Sequence, residues 1–397
     1  MQQHDCQARH DAEQVCEVPR TNAASHVKAR LAEMHPAYFA LAMATGVVAI
    51  ACHSFGLHHL AITLSWINLV AYLALWILYI ARAVLFGDRV VSDLWDHGRA
   101  PGYFTIVAAT GVLGTHVVLL HDGLLTAQIL WWVSVTLWAA CTYTIFTLLT
   151  VAEKKPTFEE GINGGWLLAV VATQAICVLG CALNGTVFGQ GHRDAALFVL
   201  MAFWLGGGML YLWIIGLIFF RYMFFRFSPN DLQPPYWINM GAVAISTLAG
   251  AMLSQVVERS LLLVPLRPFI LGLTIMFWAT ATWWIPMLLV LGIWRHAARK
   301  VRISYDPHYW GLVFPVGMYS VCTFQLAQAL DAPFLLWLAR IFVVAAAVVW
   351  LFTFLGLARR LVYVVLLAFS RRRIVPTMNS PIAPSPPVPE NLEASTP

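Results

Sequence analysis

Residues 36–46 read PAYFALAMATG, and residues 101–111 read PGYFTIVAATG. Both stretches begin with proline, continue with tyrosine and phenylalanine, and reach Thr-Gly nine and ten residues after the proline. The pattern Pro-x-Tyr-aromatic returns at residues 234–237 and 307–310, and a degenerate copy without proline begins at Asn163. The chain therefore contains an internal repeat of five copies, and a repeat fixes the architecture before single elements are considered.

Each copy opens an apolar segment, and a second apolar segment follows before the next copy. Segments of about 20 residues are long enough to cross a bilayer as helices. The chain is 60% hydrophobic and 11% charged, whereas soluble domains average about 25% charged residues. The sequence predicts an all-α integral membrane protein with ten transmembrane helices, at about 36–54, 60–81, 101–120, 124–150, 163–183, 195–220, 235–255, 268–294, 309–329 and 334–358.

Two spans per copy mean that every copy enters the membrane from the same side. Parallel repeats of this kind are related by an axis along the membrane normal. We therefore predict five helical hairpins with quasi-five-fold symmetry about a central pore. Most of the 17 tryptophans lie in the even-numbered spans, and the odd spans are richer in small polar residues. The odd helices are expected to lie inside, around the axis.

The ends of the chain and the charged residues indicate topology. Residues 1–34 predict a disordered N-terminal tail, residues 35–369 the ten-helix domain, and residues 370–397 a disordered Pro-rich tail. Most of the 24 Lys and Arg residues fall on the side of the two termini. The positive-inside rule places that side, and both termini, in the cytoplasm. The expected membrane is the plasma membrane, here the bacterial inner membrane. This basic rim explains the net charge of +5, so no nucleic-acid partner is indicated.

The odd spans contain no Asp, Glu, Lys or Arg. Coupled transporters usually carry such groups within the membrane, so the pattern favours passive passage. The N-terminal dipole ends of five inner helices would gather at one mouth and favour anions there. Small inorganic or carboxylate anions are the expected ligands. The sequence indicates no catalytic residues, no metal site and no cofactor, and we predict that the protein is not an enzyme.

Phe314 and Pro315 interrupt the ninth span. Proline inside a helix removes a backbone donor and bends the helix. Seven residues after the copy starts at 36, 101, 163, 234 and 307, only the ninth span has a large ring. The residues at that level are Met43, Ala108, Val170, Gly241 and Phe314. We interpret Phe314 as a gate that reaches across the pore and Pro315 as the residue that aims it; a core phenylalanine beside a packing kink is the alternative.

Ten residues after each start, all side chains are small, as an open lumen requires. The residues at that level are Gly46, Gly111, Thr173, Ala244 and Gly317. Together with the four residues opposite Phe314, they form the predicted pore lining.

The chain resembles the family of slow anion channels and tellurite-resistance/dicarboxylate transporters. The resemblance covers about residues 34–365, and its sharpest points are His35-Pro36-Ala-Tyr38-Phe39 and Trp310 followed by Phe314-Pro315-x-Gly317. It implies ten helices in five hairpins, a pore lined by the odd helices in each subunit of a homotrimer, and a pore-occluding phenylalanine before a ninth-span proline, which Phe314 matches. The fifth span lacks the family's proline kink.

Two other functions remain open from the sequence. The nearer one is a coupled transporter or exporter of malate-like dicarboxylates, sulfite or tellurite-type oxyanions, whose coupling group would be His53, His116 or Arg340. The remoter one is a membrane cytochrome in which His53 and His116 ligate a haem.

Overall fold

The computed structural model describes residues 23–226, 228–229, 231–232, 234–301 and 305–370. Most of the two predicted disordered tails lies outside these residues. A helix, α1 (Ala23–Ala32), occupies the last part of the segment assigned to the N-terminal tail. The chain divides into one unit that ends at Ala358 and a second that begins at Arg359. The described part of the second unit is helical.

All regular structure in the described residues is helical, and ten helices are long and apolar enough to cross a membrane. The all-helical membrane fold predicted from the sequence is confirmed. The helices after α1 are α2 (Ala40–Ser54), α3 (His58–Leu85), α4 (Gly87–Leu94), α5 (Phe104–His121), α6 (Leu124–Val151), α7 (Phe158–Gly161), α8 (Leu168–Ala182), α9 (Arg193–Phe224), α10 (Ile238–Val256), α11 (Arg267–Ile293), α12 (Trp310–Ala329) and α13 (Leu336–Ser370).

Burial separates the ten spans into two classes. The odd-numbered spans, which contain α2, α5, α8, α10 and α12, are 72–89% buried inside the protein, whereas the even-numbered spans are 17–33% buried. The odd spans contain small residues that allow close helix packing, and the even spans expose large apolar side chains such as Trp66, Trp213 and Phe352. The odd helices are therefore the inner helices, and the even helices present their apolar faces outward.

The inner helices contact one another in cyclic order: α2 packs on α5, α5 on α8, α8 on α10, α10 on α12, and α12 on α2. Each of the first four inner helices also packs on the outer helix that follows it. The fifth pair is joined by a hydrogen bond from Ser320 Oγ to the Ala339 carbonyl at 2.7 Å. This order of contacts agrees with five hairpins around an axis, and their quasi-five-fold symmetry stays a prediction.

Every inner helix begins with a short 3₁₀ turn, and three of these turns share one type of cap. The side chains of His35, Asn163 and Asp306 each accept a hydrogen bond from the backbone N–H two residues later, as residues at a helix N-cap commonly do. Asn163 thus corresponds to His35, and the copy in the fifth span begins at Gly164. The start at Asn163 inferred from the sequence is one residue too early.

A second recurrent contact links each outer helix to the next inner helix. The side chains of Tyr72, Trp138 and Trp350 contact the hydroxyls of Thr110, Thr173 and Thr45 at 2.8–3.0 Å. These threonines lie nine residues after the starts Pro101, Gly164 and Pro36, which supports the corrected start. The indoles of Trp204 and Trp278 join the other two helix pairs at different levels, through the Ser246 carbonyl and the Thr323 hydroxyl. Buried tryptophan and tyrosine side chains require such polar partners.

Candidate functional site: the axis of the inner helices

We call the number of residues after a copy start the offset, with starts at Pro36, Pro101, Gly164, Pro234 and Pro307. A cavity of about 650 Å³ opens where the inner helices begin, and we call it the vestibule. Offsets 1 and 4 of all five inner spans line it: Ala37, Gly102, Gly165, Pro235 and His308 at offset 1, and Ala40, Thr105, Leu168, Ile238 and Gly311 at offset 4. A cavity of this volume accommodates a small ligand.

Farther along the same helices lies a second cavity of about 10 Å³, which we call the axial cavity. All five inner helices line it through offset 11, with Val47, Val112, Ala175, Ile245 and Met318, and through offset 14, with Ile50, Thr115, Val178, Leu248 and Val321. Gly111 at offset 10 also borders it. The axis is thus bounded by the same positions of every inner helix.

Phe314 lies at offset 7, between the levels of the two cavities. Offsets 4, 7, 11 and 14 follow the spacing of three and four residues that defines one face of an α-helix. Gly311, Met318 and Val321 on that face of α12 line the cavities, so Phe314 belongs to the face directed at the axis. Its side chain is fully buried. Phe314 itself lines neither cavity and lies along α12 between Gly311 of the vestibule and Met318 of the axial cavity.

The other predicted residues at this level differ in their surroundings. Met43 lines the vestibule, and Ala108 is fully buried. Gly241 lies against Pro315, because a methyl group on Gly241 would come within 2.7 Å of the Pro315 Cγ atom. The corrected start places Val171, and not Val170, at offset 7. The axial face of α8 is thus shifted by one residue from its predicted position.

The residues predicted ten positions after the starts lie mainly between helices. A methyl group on Gly46 would come within 2.4 Å of Val112, and one on Gly317 within 3.1 Å of Val47, so both glycines allow close packing of neighbouring inner helices. Ala244 is fully buried. Thr173 is at offset 9 in the corrected register, and its hydroxyl accepts the Trp138 indole N–H. Thr173 therefore faces an outer helix and not the lumen.

An ionic cluster that the sequence did not predict holds the chain entering the first span. Asp93 pairs with Arg82 at 2.7 Å and with Arg99 at 2.6 Å. Arg82 also donates to the Ala32 carbonyl, and Arg99 to the Met34 carbonyl. Charge-assisted bonds of this kind are stronger than neutral ones. The cluster fixes the position of one wall of the vestibule, which Arg99 also lines.

His35 and His308 stand at the mouth of the vestibule, with ring centroids 5.3 Å apart. Burial lowers the pKa of His35 from 6.5 to about 4, and the nearby His308 and Arg99 act in the same direction. The ring is held as a neutral acceptor, since its Nδ1 accepts the Ala37 N–H at 3.1 Å. The vestibule is therefore built with a neutral His35.

Two of the three groups considered for coupling or haem binding, His116 and Arg340, make other contacts within the protein. His116 is buried, with Nε2 2.5 Å from the Gly46 carbonyl oxygen and Nδ1 3.4 Å from the Asn68 amide nitrogen. Arg340 lies on an outer helix, over the ring of Phe55 at 5.9 Å. Both nitrogens of the His116 ring are used to join helices, and Arg340 packs from an outer helix on Phe55, which follows α2.

Five uncharged inner helices that bound two separated cavities, with apolar helices outside them, define a membrane channel or transporter. Residues 33–358 match the protein family described as voltage-dependent anion channel. The chain belongs to that family of anion channels and transporters, which confirms the resemblance seen in the sequence.

The chain is similar to membrane proteins from a fungus, an archaeon and a bacterium. A sulfite efflux pump of Trichophyton rubrum is 23% identical over 344 residues, which cover 82% of this chain and 90% of the pump. An uncharacterized transporter of Methanocaldococcus jannaschii is 23% identical over 294 residues, or 72% of this chain and 82% of the transporter. An uncharacterized membrane protein of Mycobacterium tuberculosis is 34% identical over 152 residues, or 38% of this chain and 77% of that protein.

Proposed function

We propose that the protein carries small anions passively through a pore along the axis of the inner helices, and that Phe314 gates this pore. The observation that carries the proposal is the position of Phe314. Its ring is the only large aromatic group at offset 7, and it lies on the face of α12 that lines both cavities. Pro315 supports the gate by packing against Gly241 on the neighbouring helix.

The chemistry of the lining supports anions and passive flow. The inner helices contain no Asp, Glu, Lys or Arg, so they offer no charged side chain to hold an anion and no carboxylate to exchange a proton. The carboxylates of Glu159, Glu160 and Asp231 line only the vestibule. The five helix N-termini converge on the vestibule, where helix dipoles favour negative charge. Chloride, nitrate and small carboxylates are the ligands we propose.

A coupled exporter is the second candidate function, and the specific observation in its favour is the similarity to a sulfite efflux pump. In this chain, however, two of the three groups considered for coupling make other contacts: His116 with the Gly46 carbonyl, and Arg340 with the ring of Phe55. Besides sulfite, the substrates considered for a coupled exporter are dicarboxylates and tellurite-type oxyanions. The haem alternative is disfavoured because His116 uses both ring nitrogens within the protein.

We further propose the topology and assembly of the protein. The vestibule opens to the cytoplasm, since the connections on its side carry most of the basic residues and the positive-inside rule places such connections there. Both termini are then cytoplasmic, and the membrane is the plasma membrane of a bacterium. The apolar outer helices meet in a homotrimer with one pore in each subunit, which native mass spectrometry in mild detergent tests.

The deciding experiment is a flux assay with the purified protein in liposomes. Chloride, malate and sulfite are compared side by side, with and without an imposed proton gradient. Passive transport predicts flux that follows each anion's own gradient and does not require the proton gradient. A strict requirement for the proton gradient with all three anions would replace the proposal with the coupled exporter.

A further inference from the structure

We infer that the mainly aliphatic side chains around the axial cavity form a second barrier to anions, in series with Phe314. The inference rests on the proposed function, because it assumes that anions follow the axis. We call the residues at offsets 11 and 14 the aliphatic barrier. Its existence means that removing the phenyl ring opens the pore only in part.

The first level of the aliphatic barrier is offset 11. It consists of Val47, Val112, Ala175, Ile245 and Met318. None of these side chains is more than 5% exposed. One residue from each inner helix contributes, so the level closes around the whole axis and no helix leaves a polar gap in it.

The second level is offset 14, with Ile50, Thr115, Val178, Leu248 and Val321. Thr115 is the only residue of the two levels with a polar side chain. Its hydroxyl donates to the carbonyl oxygen of Gly111, on its own helix, at 3.0 Å. The hydroxyl hydrogen is thus not available to an anion, and the barrier offers a passing ion no side-chain hydrogen-bond donor.

The size of the cavity adds to this effect. The volume of about 10 Å³ is at the lower limit of about 10–15 Å³ that a cavity needs in order to hold one water molecule. Hydrophobic constrictions of this kind block ions by excluding the water that hydrates them. The vestibule differs, because polar and charged groups that hold water line it: Arg99, Asn163 and His308, which can bind an anion, and the carboxylates of Glu159, Glu160 and Asp231. An anion that passes Phe314 therefore still has to lose its water.

The test makes the barrier polar without changing its volume. Val178→Thr and Val321→Thr each replace a methyl group with a hydroxyl. Like the Thr115 hydroxyl, each new hydroxyl donates to the carbonyl four residues earlier, but its oxygen still accepts hydrogen bonds from water. Three such oxygens at one level let the barrier hold the water that hydrates the anion. Val316→Thr is the matched control. Val316 lies at offset 9 of α12, where Thr45, Thr110 and Thr173 stand in three of the other four copies, and this offset faces away from the axis.

Chloride flux into liposomes is measured for the wild type, Phe314→Ala, the Val178→Thr/Val321→Thr pair, and the pair combined with Phe314→Ala. The combined variant is expected to exceed Phe314→Ala by about tenfold, which corresponds to a barrier lower by about 1.4 kcal/mol. The valine pair alone stays near the wild type, because Phe314 is still in place. Phe314→Ala/Val316→Thr stays near Phe314→Ala.

Equal flux in Phe314→Ala and in the combined variant would overturn the second barrier and leave the proposed pore intact. No gain over the wild type in any variant would overturn the pore, and the second barrier with it. Melting temperatures are recorded on the same preparations. If the combined variant does not fold, Val178→Thr and Val321→Thr are combined singly with Phe314→Ala, and each is expected to raise the flux of Phe314→Ala by about threefold.

Discussion

Gly241 of α10 faces the pyrrolidine ring of Pro315 in α12: a methyl group at Gly241 would come within 2.7 Å of the Pro315 Cγ atom and 3.0 Å of Cβ. Pro315 follows the proposed gate residue directly. The glycine thus allows the two inner helices to approach beside the gate. The absence of a side chain at Gly241 lets α10 and α12 pack closely. From the sequence, the same small residue was expected to leave room for the Phe314 ring.

Gly241→Ala should therefore destabilise the protein. The added methyl group overlaps a rigid ring and the helix backbone behind it, and overpacking of this kind costs about 1–3 kcal/mol. A lower melting temperature is the expected result. Gly216→Ala is the control, since a methyl group there meets no atom within 4 Å and alanine favours the helix. Equal melting temperatures for Gly241→Ala and the wild type would contradict the close approach.

Asp93→Asn should weaken the wall of the vestibule. The change leaves the buried Arg82 guanidinium, which is 2% exposed, without its carboxylate partner at 2.7 Å. Breaking one side of a buried ion pair costs about 3–5 kcal/mol. Thermal unfolding in detergent measures the loss, and the exposed Asp88→Asn serves as the control for a change of charge. A loss no greater than that of Asp88→Asn would mean that the cluster contributes nothing to stability.

Thr173→Val tests whether Thr173 holds a helix or lines the pore. Valine has nearly the same shape but accepts no hydrogen bond, so the half-buried Trp138 indole N–H, 2.8 Å from the hydroxyl, loses its partner. Such a loss costs about 1–3 kcal/mol. We expect a lower melting temperature and unchanged anion selectivity. Changed selectivity at unchanged stability would return Thr173 to the pore lining; Thr136→Val, at an exposed position of α6, is the matched control.

His35 should make stability depend on pH. Its folded-state pKa of about 4 lies below the ordinary value of 6.5, so the unfolded chain binds the proton more readily. The contribution of neutral His35 is complete above pH 6.5 and is lost as the pH falls towards 4. Asp93 and Asp96, which act in the opposite direction on this pKa, are unchanged in the test variant.

His35→Asn provides that test, because asparagine accepts the same backbone hydrogen bond at the corresponding position Asn163 and does not titrate. Melting temperatures between pH 7 and pH 4 should fall less steeply for His35→Asn than for the wild type. Parallel curves for the two proteins would show that His35 is not responsible for the pH dependence.

Much of this fold could be predicted from the repeat. Copies that begin with Pro-x-Tyr-aromatic can be aligned on that motif, and the helices that follow the motif are the buried inner helices. The fifth copy begins Gly164-Gly165, where no proline marks the start, and the start predicted from the sequence, Asn163, is therefore one residue early. On a helix one residue is a rotation of about 100°, which is enough to move Thr173 from the predicted lumen to Trp138.

Other features had no local signal. Arg82 lies in α3, Asp93 in α4 and Arg99 in the connection that follows, and only the folded chain shows that they meet. The cap residues could have been recognised, since His35 and Asp306 each precede a proline at the start of a helix and Asn163 precedes the equivalent glycine. Aligning the copies on these caps would have placed Val171 opposite Phe314.

The most direct test of the central claim is chloride flux through Phe314→Ala, measured with the melting temperature on the same preparation. If Phe314 is the gate, Phe314→Ala is a folded protein with raised basal flux, because the variant removes the large ring between the levels of the vestibule and the axial cavity. A core phenylalanine would behave differently, since truncating it typically costs about 3–5 kcal/mol. A destabilised Phe314→Ala protein with unchanged or lower flux would contradict the gate.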